Sequence, residues 1–204
     1  DLRERVPEGR MVDVPQDLSA VTWPVRTARL TIRPAEPGDV DATWAFRRLP
    51  EVTEWLTQRT GDRAAYAETF LDPDRLATTL VVEQDGAVVG DLMLRIGDPW
   101  SQAEVADRAR GSQAELGWVI DPAHAGQGLA TEAVTELLRI CFEDLGMRRV
   151  VALCFADNVA SWRLMERVGM RREEHNVQES LHRDRGWLDG YGYALLEEEW
   201  RAGR

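Results

Sequence analysis

Cysteine and histidine are scarce in this chain, with two cysteines and three histidines in 204 residues. Cys141 and Cys154 fall within apolar helix and strand patterns, which reads as buried free thiols rather than a disulfide or a nucleophile. His124, His175 and His182 are scattered without ligand spacing, which argues against a structural or catalytic zinc. No run approaches the ~18 apolar residues of a membrane span. The opening Asp1-Leu-Arg-Glu-Arg lacks the apolar core of a signal peptide, so a cytoplasmic location away from membranes is expected. Positive charge is short as well, 25 basic against 36 acidic residues for a net charge of −11. A surface that tracks phosphates needs clustered basic side chains, so nucleic acid is disfavoured as a general partner. Repeats and low-complexity tracts are absent.

What is present is a chain of 204 residues, 44% hydrophobic, enough for one domain around a single sizeable core. Residues 1–25 are polar and proline-bearing and read as an N-terminal arm, although Val21, Trp23 and Val25 alternate like a short strand. Residues 26–204 then form one domain. Arg29-Leu-Thr-Ile-Arg33 alternates as a strand, Asp39 starts a helix, and a second helix covers about Glu51 to Leu56. A third, capped by Thr60 or Asp62, runs to Phe70, and Asp72-Pro73-Asp74 reads as a turn. Asp85-Gly86 joins two strand patterns as an antiparallel hairpin. Residues 97–112 read as a loop, and residues 170–179 and 187–197 alternate as two final strands. The order predicts an α/β (α+β) architecture, a mixed sheet with helices on both faces.

The chain is organised around Ala114-Glu-Leu-Gly-Trp-Val-Ile-Asp-Pro-Ala-His-Ala-Gly-Gln-Gly-Leu-Ala-Thr-Glu-Ala133, an apolar strand that turns through Asp121-Pro122 into a glycine-rich loop and a helix. Gly126 and Gly128 let the backbone take positive φ and approach a ligand, while the first helical amides have no intrahelical acceptor. With the helix dipole added, the natural guest is a phosphate or pyrophosphate. A P-loop would need Lys-Ser/Thr after its second glycine, where Leu129-Ala130 stand, and a dinucleotide fingerprint would need glycine at Thr131.

The loop instead resembles the acetyl-CoA loop of the GNAT superfamily of N-acetyltransferases, Q/R-x-x-G-x-G/A, at Gly128 and Ala130, departing from it at Ala125. Downstream, the buried strand Arg149-Val-Val-Ala-Leu-Cys-Phe155 and the segment Asp157-Asn-Val-Ala-Ser-Trp-Arg-Leu-Met-Glu-Arg-Val-Gly-Met170 resemble the second GNAT signature. Glu-Leu-Gly-Trp-Val-Ile, Ala-Thr-Glu-Ala and Trp187-Leu-Asp resemble the branch that includes the ribosomal-protein N-terminal (alanine) acetyltransferases. The resemblance implies a mostly antiparallel twisted sheet whose two parallel central strands, residues 114–120 and 149–155, splay apart around a pantetheine arm. Gly117 is either the bulge that starts the splay or a flat place where an aromatic packs. It also implies acetyl-CoA (coenzyme A) as cofactor, held by Trp118, Val119 and Ile120, by Ala125, Gly126, Gln127, Gly128, Leu129, Ala130 and Thr131, and by Asn158 and Ser161. The net charge of −11 repels such a polyanion, so local donors must hold it.

Acetyl transfer to an amine needs a base for the ammonium, donors for the carbonyl oxygen and a proton for the departing thiolate. Ser161 is the candidate proton donor, against a plain helix-start cap, and Asn158 carries the same alternative. Glu115, by proximity, and Glu179, by resemblance, are the candidate bases, each against a solvated surface glutamate. No metal is implied. The acceptor implied is a primary amine, on a small molecule or a protein N-terminus. Two other readings are a CoA-binding regulatory or vestigial domain and a transferase for a longer acyl-CoA. Trp23, Trp187 and Trp200 would suit a symmetric homodimer contact, unless they are interior.

Overall fold

The structure, a computed structural model, describes residues 17–203. Most of the expected N-terminal arm, residues 1–16, lies outside the described residues. Among the described residues, eight strands form one sheet in the order β1-β2-β3-β4-β5-β6-β8-β7. They are β1 (Val25–Arg26), β2 (Thr31–Pro34), β3 (Thr79–Gln84), β4 (Ala87–Gly97), β5 (Gln113–Ile120), β6 (Arg149–Phe155), β7 (Arg171–His182) and β8 (Gly186–Leu196). Every neighbouring pair is antiparallel except β5 and β6. The β3–β4 turn is the expected hairpin, with Asp85 and Gly86 at φ 51° and 81°.

Alternation along β3 separates two cores. Leu80 and Val82 face the larger one, built with Leu129, Ala133 and Leu137 of the helix α6 (Leu129–Arg139). Val81 faces the smaller one, with Val40, Tyr66 and Phe70. Those last residues belong to α1 (Val40–Arg47) and α3 (Arg63–Phe70), so α1 and α3 lie on the opposite sheet face from α6 (Leu129–Arg139). The apolar period that marks α6 in sequence reappears as five buried residues, Leu129, Ala133, Val134, Leu137 and Leu138, on one side of the helix. The last turn loosens into a π-helical segment, Ile140–Asp144, and the chain leaves through Gly146 at φ 66°.

Some expected boundaries move. A boundary at residue 25 divides β1, and Val21 is buried with Leu18 and Trp23 packed on the larger core, so residues 18–26 are built into the domain. The second helix is only one turn, α2 (Pro50–Thr53). Asp72-Pro73-Asp74 is not a free turn but the start of α4 (Pro73–Thr78), because the Asp72 carboxylate caps the amides of Asp74 and Arg75, both at 3.1 Å, and proline fits the first helical position. The 97–112 loop holds a short helix, α5 (Ala106–Ala109). Of the three tryptophans expected to suit a dimer contact, Trp23 and Trp200 pack on the core, and Trp187 is exposed. Among the described residues, no helix is long and apolar enough to cross a membrane.

Candidate active site

The glycine loop has the geometry its composition implies. Gly126 and Gly128 adopt φ 75° and 77°, a region that costs other residues strain, and an added Cβ at Gly126 would meet only open space. Gly128 is the N-cap of α6 and offers no side-chain cap, and Glu132 N to Gly128 O, at 3.1 Å, is the bond that begins the helical ladder there. The amides of Leu129, Ala130 and Thr131 therefore point outward with the positive end of the helix dipole behind them. This is a cradle for an anion, and the residues fit the diphosphate of coenzyme A.

Two contacts from distant parts of the chain fix that loop. Arg29 donates to the Gln127 carbonyl at 2.8 Å and, through Nε, to Glu132 at 2.7 Å, while Thr27 donates to the same carboxylate at 2.6 Å. Partial burial works to raise the Glu132 pKa, but the hydrogen bonds from Thr27 and Arg29 outweigh it and hold the carboxyl below its usual range. Arg163 and Arg167, four residues apart on α7 (Val159–Arg167), line the same cleft, and Arg167 donates to Thr131 Oγ1 at 3.2 Å. Arg29, Arg163 and Arg167 thus put three guanidinium groups on the cleft lining in a chain of net charge −11.

Behind the loop the sheet opens. The β5–β6 ladder consists of Gln113↔Arg149, Ala114↔Val150 and Glu115↔Val151, after which β5 stays with β4 and β6 stays with β8. Asp121 N bonds Val89 O at 2.9 Å, so antiparallel alternation aims the main chains of Leu116, Trp118 and Ile120 into the gap and that of Val119 at β4. Of the strand positions expected to meet the cofactor, Trp118 and Ile120 face the gap with their amides; Val119 does not, because β4 uses its polar groups. Gly117 is neither a bulge nor an aromatic floor. It stays in regular register with Met93, whose Cβ would lie 3.5 Å from an added Cβ. The open cleft has a volume of about 2040 Å³, well above the roughly 300–1,000 Å³ of a site for one small ligand, and so has room for two.

At the far end of the gap, Asn158 is the N-cap of α7, and its side chain accepts from the Ser161 amide at 3.3 Å. Ser161 is therefore not the cap. It acts on Cys154, whose thiol burial pushes up to about 11, Ser161 offsetting only part of that rise. Cys154 stays a neutral thiol near pH 7 and a poor nucleophile. Both cysteines are free, but Cys154 is only partly buried and lines the cleft.

The two candidate bases part company. Glu115 is ion-paired with Arg95 across the β4–β5 ladder and is not among the residues lining the cleft. Glu179 does line it, in the stretch where the β7–β8 register shifts between Asn176 and Ser180, and accepts from Ser180 Oγ at 2.8 Å. Glu174 lies nearby, with Oε2 2.9 Å from where a Cβ at Gly192 would stand; at Gly190 the corresponding neighbours are Ser180 Oγ at 2.9 Å and Glu179 Oε2 at 3.3 Å. Bare backbone at 190 and 192 thus leaves room for two carboxylates over the sheet.

On the α1 side the cleft is underlain by an ion pair, Arg47 Nε to Asp91 Oδ2 at 2.6 Å, with Asp91 2% exposed. Burial works against the Arg47 charge and Asp91 more than restores it, so the guanidinium stays cationic. Removing one partner of such a pair strands the other charge. Arg47→Met is expected to lower unfolding free energy in urea by about 3–5 kcal/mol, and a loss below about 1 kcal/mol would show that Asp91 is solvated on its own.

The acetyltransferase (GNAT) domain model matches residues 29–171. The chain belongs to the GNAT family. It is 29% identical over 177 residues to an uncharacterised N-acetyltransferase, YnaD, of Bacillus subtilis, covering 86% of this chain and 98% of that one. A GNAT-family acetyltransferase structure from Bacillus anthracis is 27% identical with a TM-score of 0.72, covering 85% of this chain and 98% of that chain. RimL, the ribosomal L7/L12 α-N-protein acetyltransferase in complex with coenzyme A, shares the fold at 18% identity with a TM-score of 0.70, covering 83% of this chain and 95% of that one.

The protein is thus an N-acetyltransferase that uses acetyl-CoA. Several residues around the acetyltransferase's cleft carried no sequence signal strong enough to single them out. Arg29 and Glu132 stand about a hundred positions apart, and only the fold joins them. Arg163 and Arg167 do carry one, a pair of cations at helical spacing beside the second signature in an acidic chain. Among the described residues, no group of three or more His, Cys, Asp or Glu is placed to hold a metal ion.

Proposed function

We propose that the enzyme acetylates a primary amine, on a small molecule or a protein N-terminus as in the reaction for which RimL is named, by direct attack on the thioester. The observation that carries this reading is the β5–β6 gap, which runs from the uncapped start of α6 to Ser161 and opens on the opposite face beneath Glu174 and Glu179. Register turns the Cys154 side chain towards the α6 side of the sheet, since Val150 and Ala152 on the same strand face belong to the larger core, and α7, which carries Ser161, packs on that core through Met165. Leu153 and Phe155 alternate to the α1 side, and there Leu153 is 62% exposed.

Each step is assigned a residue. Acetyl-CoA supplies an acyl group activated as a thioester. The amides of Gly128 to Thr131 hold the diphosphate, and the amides of Trp118 and Ile120 polarise the carbonyl oxygen. An alkylamine is mostly protonated at neutral pH, so Glu179, directly or through water, takes its proton. The Ser161 hydroxyl donates to the departing sulfur. Asn158 holds the turn in place by capping α7.

Thiol release measured with acetyl-CoA and a broad panel of primary amines tests the proposal. Acceptor-dependent release is expected. Tight acetyl-CoA binding with no release for any amine would instead favour a cofactor-binding module. Glu179→Gln is expected to lower kcat by about 10²-fold at pH 7, with much of the loss recovered as pH approaches the amine's own pKa. A pH-independent loss would assign Glu179 to packing of the β7–β8 hairpin.

A further inference from the structure

Among the described residues, half-buried arginines have a carboxylate, a carbonyl or hydroxyl, or an aromatic ring as partner, with Arg75 as the exception. It is partly buried on α4 and lines the cleft, yet no ion pair, hydrogen bond or ring contact engages its guanidinium. The carboxylates nearest in charge are already committed. Asp72 caps the amides of α4, and Asp91 is held by both Nε and Nη2 of Arg47. Burial and the neighbouring Arg47 charge both depress the Arg75 pKa, with Tyr66, Asp91 and Asp72 acting weakly in the other direction. An arginine remains charged even so, and a charge left part-buried without a partner is poorly stabilised.

Arg75 also stands on the acceptor side of the sheet. Asp91 pairs with Val81 of the smaller core and with Val119 of β5, so this group shares the α1 face with Leu153, Phe155, Gly190 and Gly192, opposite the α6 face that carries the diphosphate cradle. On one face the cleft therefore has carboxylates, Glu174 and Glu179, over β8 and an uncommitted guanidinium beyond β4. We propose that Arg75 binds an anionic group, a carboxylate or phosphate, on the acceptor, so that the substrate is a small amine carrying an acidic group. A planar guanidinium holds such a group by paired hydrogen bonds. This proposal rests on the transferase reading, and adds to it the charge type of the acceptor.

The test uses the intact chain and its Arg75→Gln and Arg75→Lys variants, with acetyl-CoA affinity measured first by calorimetry. Acetylation is then followed for β-alanine and O-phosphoethanolamine, against β-alaninamide, whose far end is neutral, and 1,4-diaminobutane, whose far end is a second cation. The expected result is that the wild type prefers the acidic amines and that Arg75→Gln raises their KM by about tenfold or more. Neither kcat for the amide nor acetyl-CoA affinity should change, and Arg75→Lys should restore part of the affinity. An equal or greater rate with the diamine, or no change in KM, would overturn the proposal. So would an Arg75→Gln variant that loses acetyl-CoA affinity instead, since Arg75 would then serve the cofactor. If the acidic amines fail while another amine is acetylated, this inference falls and the transferase reading stands. If acetyl-CoA itself does not bind, both fall.

Discussion

Gly128→Asp is expected to weaken acetyl-CoA binding by at least about 100-fold, or roughly 2.7 kcal/mol, while leaving the fold intact. Gly128 sits at φ 77°, and the nearest atom to an added Cβ is Arg29 Nη2 at 3.6 Å, so the side chain fits without collision. The backbone strain is modest, because aspartate and asparagine visit the left-handed region more readily than other residues. What changes is charge. A carboxylate at the head of α6 would occupy the place offered to a diphosphate and repel what remains of it. Gly128→Asn is the control, having nearly the same shape and strain without the charge, and its loss should be no more than about tenfold. Calorimetric titration with thermal melts on both variants separates the causes. Equal losses in the two would mean that loop geometry, and not anion repulsion, governs affinity.

Ser161→Ala carries the second large effect. If the hydroxyl supplies the proton to the leaving sulfur, kcat should fall by about 10²-fold with acetyl-CoA affinity changed by less than about threefold. The geometry removes the competing explanation in a testable way. Asn158, not Ser161, caps α7, so Asn158→Ala is the variant expected to lose about 1 kcal/mol of stability. A Ser161→Ala enzyme with full kcat and a lowered melting temperature would return Ser161 to a structural role. Cys154 does not rescue this step as a nucleophile, because its thiol is held near 11.

The parts of the fold readable from sequence were those set by local chemistry. The period of Leu129, Ala133 and Leu137, the Asp85-Gly86 turn and the two glycines of the loop each act within a few residues, and each is found in place. Asp72-Pro73 reads as a turn for the same reason, since a capping aspartate followed by proline suits a turn and a helix start equally until the partly buried Leu76 that follows commits the chain to packing. The cleft was legible only in part. Alternation can be read along β5, but which edge of β5 faces the gap depends on its partner, so the different fates of Trp118, Val119 and Ile120 needed the register with β4. Glu115 and Glu179 could not be separated from sequence because Arg95, which engages Glu115, stands 20 positions away on another strand. Arg29, Arg47 and Arg75 are set by contacts or by missing contacts across the fold, which no spacing rule reports.

Amide hydrogen exchange with and without coenzyme A tests most directly whether the open main chain of β5 and the glycine loop is the cofactor site. Slowed exchange is expected in peptides covering 116–120 and 126–131, with little change at the β3–β4 hairpin. Protection confined to other segments, or none under saturating coenzyme A, would contradict it.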